Sequence, residues 1–386
     1  MIHSLKKNYL AIDASNIRHG GGITHLSQLI EHTKKEGKKF DRVYLWASQS
    51  TLNKIPERVW LQKKSHLLLN GNLLARTLWQ KFFLRKALSK ESCSALFVLG
   101  GSIYTDFKPV INFHQNLLPF ETEEIRRYGL SIKSIKFYLL GFLQSMSMKK
   151  SDAVIYLSEF SKKIVEKKIK FSPKSKVIYH GIESRFFQPP KKQKSIDAYS
   201  DENPYRIIYV SSIDFYKHQW NVVEAVSSLR EEGYPLSLEL YGISNKASIK
   251  KLNNYIDRYD KGRRFVKYFE EVNFKEIHRI YQNSDLSVFA SSCETFGQIV
   301  LESMSSGIPV ACSSLSSMHE IIKDGCVYFD PLVPAKIAEA IKTLLLSTSL
   351  RESVSAKAFN YAKDFSWDDT SENTFKFLKE IQEENF

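Results

Sequence analysis

Residues 8–32, NYLAIDASNIRHGGGITHLSQLIEH, have the pattern of a strand, a glycine-rich turn and a helix. The stretch 8–15 is a short apolar run, as expected of a buried strand. RHGGG at 18–22 supplies a turn with few steric restrictions, and the apolar residues that follow recur at helical spacing. This order is typical of the first unit of a doubly wound α/β domain, so the stretch predicts a parallel sheet with helices on both faces.

The same alternation of apolar runs and helical segments continues along the chain and then restarts. The predicted strands after the first are 42–48, 95–101, 109–114, 152–158, 176–181, 206–212, 236–242, 286–292 and 308–314. A stretch rich in proline and charge, 188–205, predicts a linker. A chain of 386 residues is also long for a single core. The sequence therefore predicts an α/β protein with a first domain at 1–190 and a second at 204–365.

Charge is distributed unevenly between the two halves of the chain. Residues 1–200 hold 35 Lys and Arg against 15 Asp and Glu, whereas residues 201–386 hold 21 against 27. The first half is therefore strongly basic and the second is mildly acidic. A basic half indicates an anionic partner, such as nucleic acid, anionic lipid or a phosphorylated substrate. A solvated, lysine-rich surface is the alternative.

The cysteines and the apolar patterning favour a protein of the cytoplasm. The four cysteines form no CxxC pair and no His cluster accompanies them, so reduced thiols are expected at Cys93, Cys293, Cys312 and Cys326. The first residues contain no long apolar segment, so no secretory signal is expected. The sequence has no run of about 18 apolar residues, so no membrane-spanning helix is expected.

The stretch ETFGQIVLESMSSG at 294–307 contains two glutamates separated by seven residues. Gly297 allows a tight turn at the start of a helix, and Gly307 suits its C-terminal end. A helix N-terminus favours a phosphate, and ionised carboxylates accept hydrogen bonds from hydroxyls. Glu294 and Glu302 could thus flank a diphosphate, one reaching a sugar and the other a ribose. A surface helix with a capping glutamate is the alternative interpretation of the spacing.

This stretch resembles the Glu-x7-Glu signature of retaining glycosyltransferases with the GT-B fold, in particular the large family 4. Four further segments resemble the same family in the same order: DAVIYLSEFSKK (152–163), VIYHGIE (177–183), YVSSIDFYKHQWNVVEA (209–225) and SSLSSMHEIIKDGCVYFDP (313–331). The resemblance thus extends over most of the chain. It implies two Rossmann-like domains facing across a cleft, the first binding the acceptor and the second the nucleotide-sugar donor. It also implies that the C-terminal helix, 366–386, packs back onto the first domain.

The resemblance implies roles for individual residues. Glu294 would bind hydroxyls of the donor sugar, Glu302 would bind those of the ribose, and Lys217 would neutralise the diphosphate as it leaves. The other donor-binding positions are Gly21, Gly22, Ser212, Thr295, Phe296 and Gly297. His114 corresponds to a histidine near the transferred sugar, and it completes a catalytic set with Lys217 and Glu294.

The chain departs from the family pattern at two positions. Family members usually carry an arginine five residues before the lysine, and here that position is Ser212. The leaving diphosphate then lacks a bidentate partner, for which Arg18 and His218 are candidate replacements. The proline usual at the start of the signature is Ala290, for which little effect is expected.

The resemblance implies transfer with retention of configuration, from a nucleoside-diphosphate sugar such as GDP-mannose or a UDP-hexose to a saccharide. The sequence contains no Asp-x-Asp, so no metal and no other cofactor is expected. Basic residues beside aromatic ones at 73–90 and 125–150 suit an anionic membrane surface, although 73–90 also suits an ordinary packed helix. They predict a lipid-linked acceptor in lipopolysaccharide, O-antigen, capsule or exopolysaccharide synthesis. They also predict peripheral attachment of a cytoplasmic enzyme to the inner face of the plasma membrane.

Three other functions fit parts of these observations. An NDP-sugar 2-epimerase on the same fold would bind the same donor, and the fate of the sugar in the presence of an acceptor distinguishes it. A non-enzymatic nucleic-acid-binding protein would account for the basic first half. The sequence shows no DNA- or RNA-binding motif, however, so no nucleic-acid partner is expected. A catalytically inactive scaffold would fit the serine at position 212.

Overall fold

The computed structural model describes residues 8–33, 39–270, 273 and 275–385. The chain divides into two compact units. The first unit consists of Met1–Phe120, Ile135–Gly181 and Ser366–Phe386, and the second of Glu121–Ser134 and Ile182–Phe365. Each unit is built around a parallel sheet.

The first unit contains a seven-stranded sheet. Its strands are β1 Tyr9–Asp13, β2 Arg42–Trp46, β3 Leu61–Lys64, β4 Ala95–Val98, β5 Val110–His114, β6 Ala153–Tyr156 and β7 Ser175–Val177. Their order is β3-β2-β1-β4-β5-β6-β7, and every neighbouring pair is parallel. The strand order reverses between β1 and β4, which places a topological switch point at their carboxyl ends.

The second unit contains a six-stranded parallel sheet. Its strands are β8 Tyr205–Val210, β9 Leu236–Tyr241, β10 Val266–Phe269, β11 Leu286–Phe289, β12 Val310–Ser313 and β13 Val327–Phe329. Their order is β10-β9-β8-β11-β12-β13. The switch point of this sheet lies between β8 and β11, the position at which open α/β sheets bind ligands.

Helices connect the strands and cover the sheets. They are α1 Gly21–Glu31, α2 Gln49–Leu52, α3 Leu67–Asn70, α4 Leu73–Phe82, α5 Leu84–Lys90, α6 Thr122–Arg126, α7 Ile132–Lys150, α8 Glu159–Ile169, α9 Gln219–Glu231, α10 Lys246–Tyr259, α11 Ile277–Gln282, α12 Gln298–Ser305, α13 Met318–Ile321, α14 Pro334–Leu345, α15 Thr348–Ala362 and α16 Trp367–Glu384. The last helix, α16, belongs to the first unit and packs against α1 and β4.

The opening stretch folds as its pattern predicts. Leu10, Ala11 and Ile12 are fully buried, because β1 lies between two other strands and has helices on its faces. Gly20 then adopts φ 66°, ψ −154°, a conformation that suits glycine. Helix α1 begins at the next residue. The predicted α/β class, with two Rossmann-like domains, is confirmed.

The proline-rich stretch 188–205 is not a free linker. It belongs to the second unit, where Gln188 donates its backbone N–H to the carbonyl of Ser305 at 2.9 Å. The fully buried Arg351 donates hydrogen bonds to the Gln193 side chain and to the carbonyl of Lys194. A buried guanidinium needs several acceptors, so Arg351 orders a segment that has no hydrophobic periodicity of its own.

The division into units also differs from the predicted domains 1–190 and 204–365. The chain enters the second unit at Ile182 rather than after residue 190, and segment 121–134 is counted with the second unit. Sequence patterning could not show this, because segment 121–134 meets its neighbours through contacts with residues more than 80 positions away.

Candidate functional site

Two predicted site residues meet at the switch point of the second sheet. Lys217 ends a 3-10 turn, Phe215–Lys217, that follows β8, and Glu294 follows β11. The Lys217 ammonium forms an ion pair with Glu294 Oε1, and the two side chains are only 5% and 16% exposed. Lys217 Nζ also lies 5.3 Å from the centre of the Phe289 ring. A cation and a carboxylate are therefore held together beside the carboxyl ends of β8 and β11.

The backbone of Glu294 is fixed by Ser316. The Glu294 N–H donates to Ser316 Oγ at 2.6 Å, and that hydroxyl donates to the Glu294 carbonyl at 2.8 Å. Ser316 adopts φ 67°, which is uncommon for a residue with a side chain. Because one hydroxyl satisfies both backbone groups, the orientation of the Glu294 side chain is set by the loop after β12.

Gly297 forms the entrance to helix α12. Its φ of 95° and ψ of 49° are left-handed, and a Cβ at this position would lie 2.5 Å from Met318 Cε. Before it, Phe296 is buried, and its carbonyl accepts a hydrogen bond from Ser317 Oγ at 3.0 Å. Thr295 is partly buried. This tight approach points the N-terminus of α12, with its partial positive charge, to the region of Glu294.

Glu302 lies further along α12 and is buried. Its Oε2 accepts a hydrogen bond from the hydroxyl of Tyr281 at 3.2 Å. Burial raises the pKa of Glu302 to about 7, although the Tyr281 hydrogen bond and the nearby Arg185 oppose the rise. Arg185 is itself paired with Glu183 at 3.0 Å. Glu302 therefore exchanges its proton near neutral pH.

Ser212 does not compensate for the missing arginine, and neither does His218. The Ser212 side chain is exposed, and its carbonyl accepts a hydrogen bond from Gln219 Nε2 at 2.9 Å. His218 is buried with Nε2 2.9 Å from Ser292 Oγ. Burial lowers the pKa of His218 to about 3, so its ring is neutral at physiological pH and adds no charge. The structure therefore gives no support to His218 as a charged replacement for the arginine. Arg18, the other suggested replacement, lies in the first unit.

Sequence reasoning missed the residues that hold the turn of Lys217. Asp214 accepts a hydrogen bond from the Phe215 N–H at 2.8 Å, which caps the turn. Its carboxylate also accepts from the Tyr128 hydroxyl at 2.8 Å and from Lys133 Nζ at 3.1 Å. The Tyr128 ring lies edge-on to Phe215, with centroids 5.1 Å apart. Segment 121–134 thereby clamps the start of the turn that ends at Lys217.

The remaining predicted residues lie in the first unit. His114 ends β5, and its Nε2 lies 3.0 Å from the carbonyl of Asn116. Burial lowers the pKa of His114 to about 4, so the ring is neutral, with Nε2–H donating to that carbonyl. Its Nδ1 is buried and has no hydrogen-bond partner among the described residues. This nitrogen is therefore a buried acceptor without a partner in the described part of the chain.

Gly21 and Gly22 form the first turn of α1 in the same unit. A Cβ at Gly22 would lie 3.4 Å from the side-chain amide of Gln115, the residue after His114. A Cβ at Gly21 would meet nothing within 4 Å. The glycine turn and the end of β5 are thus brought together, and Gly21 leaves its surroundings open.

Comparison with known proteins shows that the chain is similar to glycosyltransferases. Residues 191–361 match the model of the family described as glycosyl transferases group 1. The chain is 26% identical over 323 residues to a glycosyltransferase of Methanocaldococcus jannaschii, covering 76% of this chain and 79% of the relative. It is 31% identical over 115 residues to O-antigen chain mannosyltransferase B of Escherichia coli, spanning 30% of each chain. These matches identify the chain as a glycosyltransferase whose residues 191–361 are similar to the group 1 family.

The fold of this glycosyltransferase is shared with solved structures. HepE of Anabaena, solved in complex with UDP-glucose, superimposes with a TM-score of 0.70 at 15% identity, covering 97% of this chain and 100% of HepE. The predicted GT-B fold and the predicted transferase class are confirmed. The roles assigned to Lys217, Glu294, Glu302 and His114 stay predictions, as do retention of configuration and membership of family 4.

Within residues 8–33, 39–270, 273 and 275–385, no three His, Cys, Asp or Glu side chains are grouped as a metal site would require. In the same part of the chain, no helix is both long enough and apolar enough to cross a bilayer.

Proposed function

We propose that this glycosyltransferase transfers a hexose, mannose-like or other, from a nucleoside-diphosphate sugar to a saccharide acceptor with retention of configuration. The observation that carries the proposal is the buried pair of Lys217 and Glu294 beside the left-handed Gly297. A cation, a carboxylate and a helix N-terminus converge at the switch point of the second sheet. A donor with a diphosphate between two polyhydroxylated groups offers a complementary partner to each.

Donor binding would exchange the internal ion pair for contacts with the ligand. The Lys217 ammonium and the N-terminus of α12 would face the diphosphate, which gains negative charge as the glycosidic bond breaks. Glu294 would then accept hydrogen bonds from sugar hydroxyls. Glu302, held by Tyr281, would accept those of the ribose.

Transfer would proceed by attack of the acceptor hydroxyl on the face from which the diphosphate departs. The bond from the anomeric carbon to the phosphate oxygen breaks, and a bond from that carbon to the acceptor oxygen forms. The proton of the acceptor hydroxyl passes to the departing phosphate, so no enzyme nucleophile and no metal ion is required. Isolation of a glycosyl-enzyme adduct, or loss of turnover in EDTA, would contradict this course.

The relatives support a polysaccharide-forming role but leave the nucleotide open. One relative is named as an O-antigen mannosyltransferase, and a structural neighbour was solved with UDP-glucose. We propose a role in lipopolysaccharide, O-antigen, capsule or exopolysaccharide synthesis, with the donor drawn from the GDP- or UDP-sugars.

Two exposed apolar stripes in the first unit support a lipid-linked acceptor. Helix α4 exposes Leu74, Leu78 and Phe82 at a spacing of four residues. Helix α7 exposes Tyr138, Phe142 and Met146 at the same spacing, and the helix ends in Lys149 and Lys150. Apolar faces with neighbouring lysines suit the interface of an anionic membrane, so we propose peripheral contact with such a surface.

Thermal-shift measurement with nucleotides tests the donor part of the proposal. Wild type is compared with Glu302→Ala and with Glu339→Ala, a control on α14 whose carboxylate pairs with Lys336 at the surface. One of UDP, GDP, dTDP, CMP or ADP should raise the melting temperature of wild type and of the control but not of Glu302→Ala. No response of wild type to any nucleotide, or an equal response of all three proteins, would contradict the proposal.

A product measurement tests the transfer itself. With the nucleotide sugar that binds, the sugar should leave the nucleotide only when a saccharide acceptor is present. Formation of a 2-epimer that stays attached to the nucleotide would show the epimerase instead.

A further inference from the structure

Two arginines of the first unit have only backbone carbonyls as hydrogen-bond partners among the residues that the structure describes. Arg18 Nη2 donates to the carbonyls of Leu69 at 2.6 Å and Gly71 at 2.8 Å. Arg76 donates from Nε to the carbonyl of Asn72 at 3.2 Å and from Nη1 to that of Ser15 at 3.3 Å. Among the described residues, neither guanidinium forms an ion pair with a carboxylate. In the described part of the chain, both positive charges therefore lack a carboxylate partner.

The two guanidinium groups are neighbours. They bind the carbonyls of residues 71 and 72, whose Cα atoms are about 3.8 Å apart across one peptide bond. Burial, with the positive charge of Arg18 as a second cause, lowers the pKa of Arg76. Arginine nevertheless stays protonated at physiological pH. The two positively charged guanidinium groups therefore repel each other in the absence of an anion.

The pair also retains unused donors. A guanidinium offers five N–H groups, and each arginine uses two of them on carbonyls. Arg18 Nε is buried and has no hydrogen-bond partner among the described residues. A buried donor without a partner is costly, and a tetrahedral oxyanion with several acceptors would satisfy it. Arginine forks match the geometry of phosphate.

An exposed apolar face lies on the helix that carries Arg76. On α4, Leu74 is 67% exposed, Leu78 39% and Phe82 62%. Leu73, which is 63% exposed and three residues before Arg76, lies on the same side of the helix as Arg76 and is next to Leu74 at the start of the stripe. The site therefore suits a ligand that combines an anionic group with an apolar chain.

We propose that Arg18 and Arg76 bind the phosphate of a lipid-linked acceptor, whose apolar chain lies along the exposed face of α4. The inference rests on the proposed function, because it assigns a site to the lipid-linked acceptor proposed there. It also gives Arg18 a role other than replacing the arginine missing at position 212. Binding of this phosphate would fix the acceptor on the first unit before transfer.

Direct binding of monododecyl phosphate, below its micelle concentration, tests the site without enzymatic turnover. Inorganic phosphate and dodecanol are the matched probes. Wild type should bind monododecyl phosphate at least about tenfold more tightly than either. Arg18→Gln and Arg76→Gln should each lose about tenfold in affinity, whereas lysine at either position should lose less because it keeps the charge. Arg85→Gln is the control, since Arg85 on the adjacent α5 is exposed and already paired with Asp106.

Three outcomes would overturn the proposal. Equal binding of inorganic and dodecyl phosphate would show an anion site without a lipid. A loss of nucleotide affinity in Arg18→Gln and Arg76→Gln would assign the pair to the donor. A lowered melting temperature with unchanged dodecyl phosphate binding would show that the arginines only cap backbone carbonyls. The nucleotide thermal shift of wild type, measured on the same sample, reports separately whether the proposed function itself fails.

Discussion

The two candidate sites differ in how the charge of their cationic side chains is compensated. In the second unit Lys217 is buried and neutralised by Glu294, and Asp214 fixes the turn in front of it. In the first unit Arg18 and Arg76 have no carboxylate partner among the described residues, and Arg76 lies on a helix with an exposed apolar face. The ion pair of Lys217 and Glu294 keeps its site ordered until a ligand with both charges and hydroxyls replaces the internal contact. The two arginines lack a carboxylate partner among the described residues, so an anion can bind them without displacing one.

The largest expected effect is on Lys217, the buried cation of the closed pair. Lys217→Ala should reduce kcat by about 10²- to 10³-fold, the usual cost of removing one group that stabilises developing negative charge. Lys336→Ala is the matched control, because Lys336 on α14 is exposed and pairs with Glu339. Steady-state kinetics with the donor identified by thermal shift gives the ratio. If Lys217→Ala kept the wild-type turnover, the ion pair of Lys217 and Glu294 would have a structural role only.

The next effect follows from the raised pKa of Glu302. The folded state holds the Glu302 proton up to about pH 7, whereas an unfolded glutamate releases it near pH 4.5. Stability contributed by the protonated carboxyl is therefore full below pH 4.5 and is lost as pH rises to about 7, by up to about 3 kcal/mol. Buried histidines with lowered pKa, such as His114 and His218, have the opposite dependence below pH 6.5.

A difference between two proteins separates these contributions. The free energy of unfolding of wild type minus that of Glu302→Gln, measured by denaturant titration from pH 4 to 8, should fall with pH and level off above 7. The affinity of wild type for its nucleotide should rise over the same range, since the ionised carboxylate accepts from the ribose. A flat difference curve would show that the pKa of Glu302 is the same in the folded and the unfolded state, as for an exposed carboxylate.

A smaller effect is expected at the contact that joins segment 121–134 to the Lys217 turn. Asp214→Asn should lower kcat about tenfold through misplacement of Lys217, and the loss of stability should be about 1 kcal/mol. The donor KM should change little, because Asp214 touches no part of the proposed donor. Tyr128→Phe removes the hydroxyl that donates to Asp214 and should act in the same direction, with Tyr138→Phe on the exposed face of α7 as control. If the variants lost stability but kept the wild-type kcat, the contact between Asp214 and Tyr128 would have a structural role only.

The comparison also explains which features the sequence reveals. Central strands such as β1 and β8 are apolar runs because both faces are covered, and sequence patterning predicts them. The edge strands β3, β10 and β13 were not predicted, whereas the edge strand β7 overlaps the predicted strand 176–181. Their residues are only partly buried, as in Leu61–Lys64, where one leucine is followed by three half-exposed polar residues. Edge strands commonly carry such polar side chains.

The site divides in the same way. Glu294 and Glu302 occur in a motif with fixed spacing and Lys217 in a segment that resembles the family, and the family match at 191–361 lies wholly in the unit that carries all three. Asp214 and Ser316 make their contacts with residues that are distant in sequence, so no local sequence pattern predicts their positions in the site. Arg18 and Arg76 are 58 positions apart, and the sequence does not distinguish them from the many other basic residues. Only the folded structure shows that they are neighbours and that, among the described residues, neither is paired with a carboxylate.

The smallest expected effect concerns the exposed stripe of α7, which extends the contrast to the surface. Phe142→Ser should lower partitioning into vesicles containing anionic lipid by about threefold, because one partly inserted aromatic side chain is lost from the interface. Ile243→Ser, an equally exposed apolar residue of the second unit, should leave partitioning unchanged. Neither change should shift the melting temperature appreciably, since both side chains are exposed. Sedimentation with vesicles at low and high salt measures both effects. Equal losses in the two variants would mean that vesicle binding is not confined to the first unit, and the contrast between the units would then hold only for their buried sites.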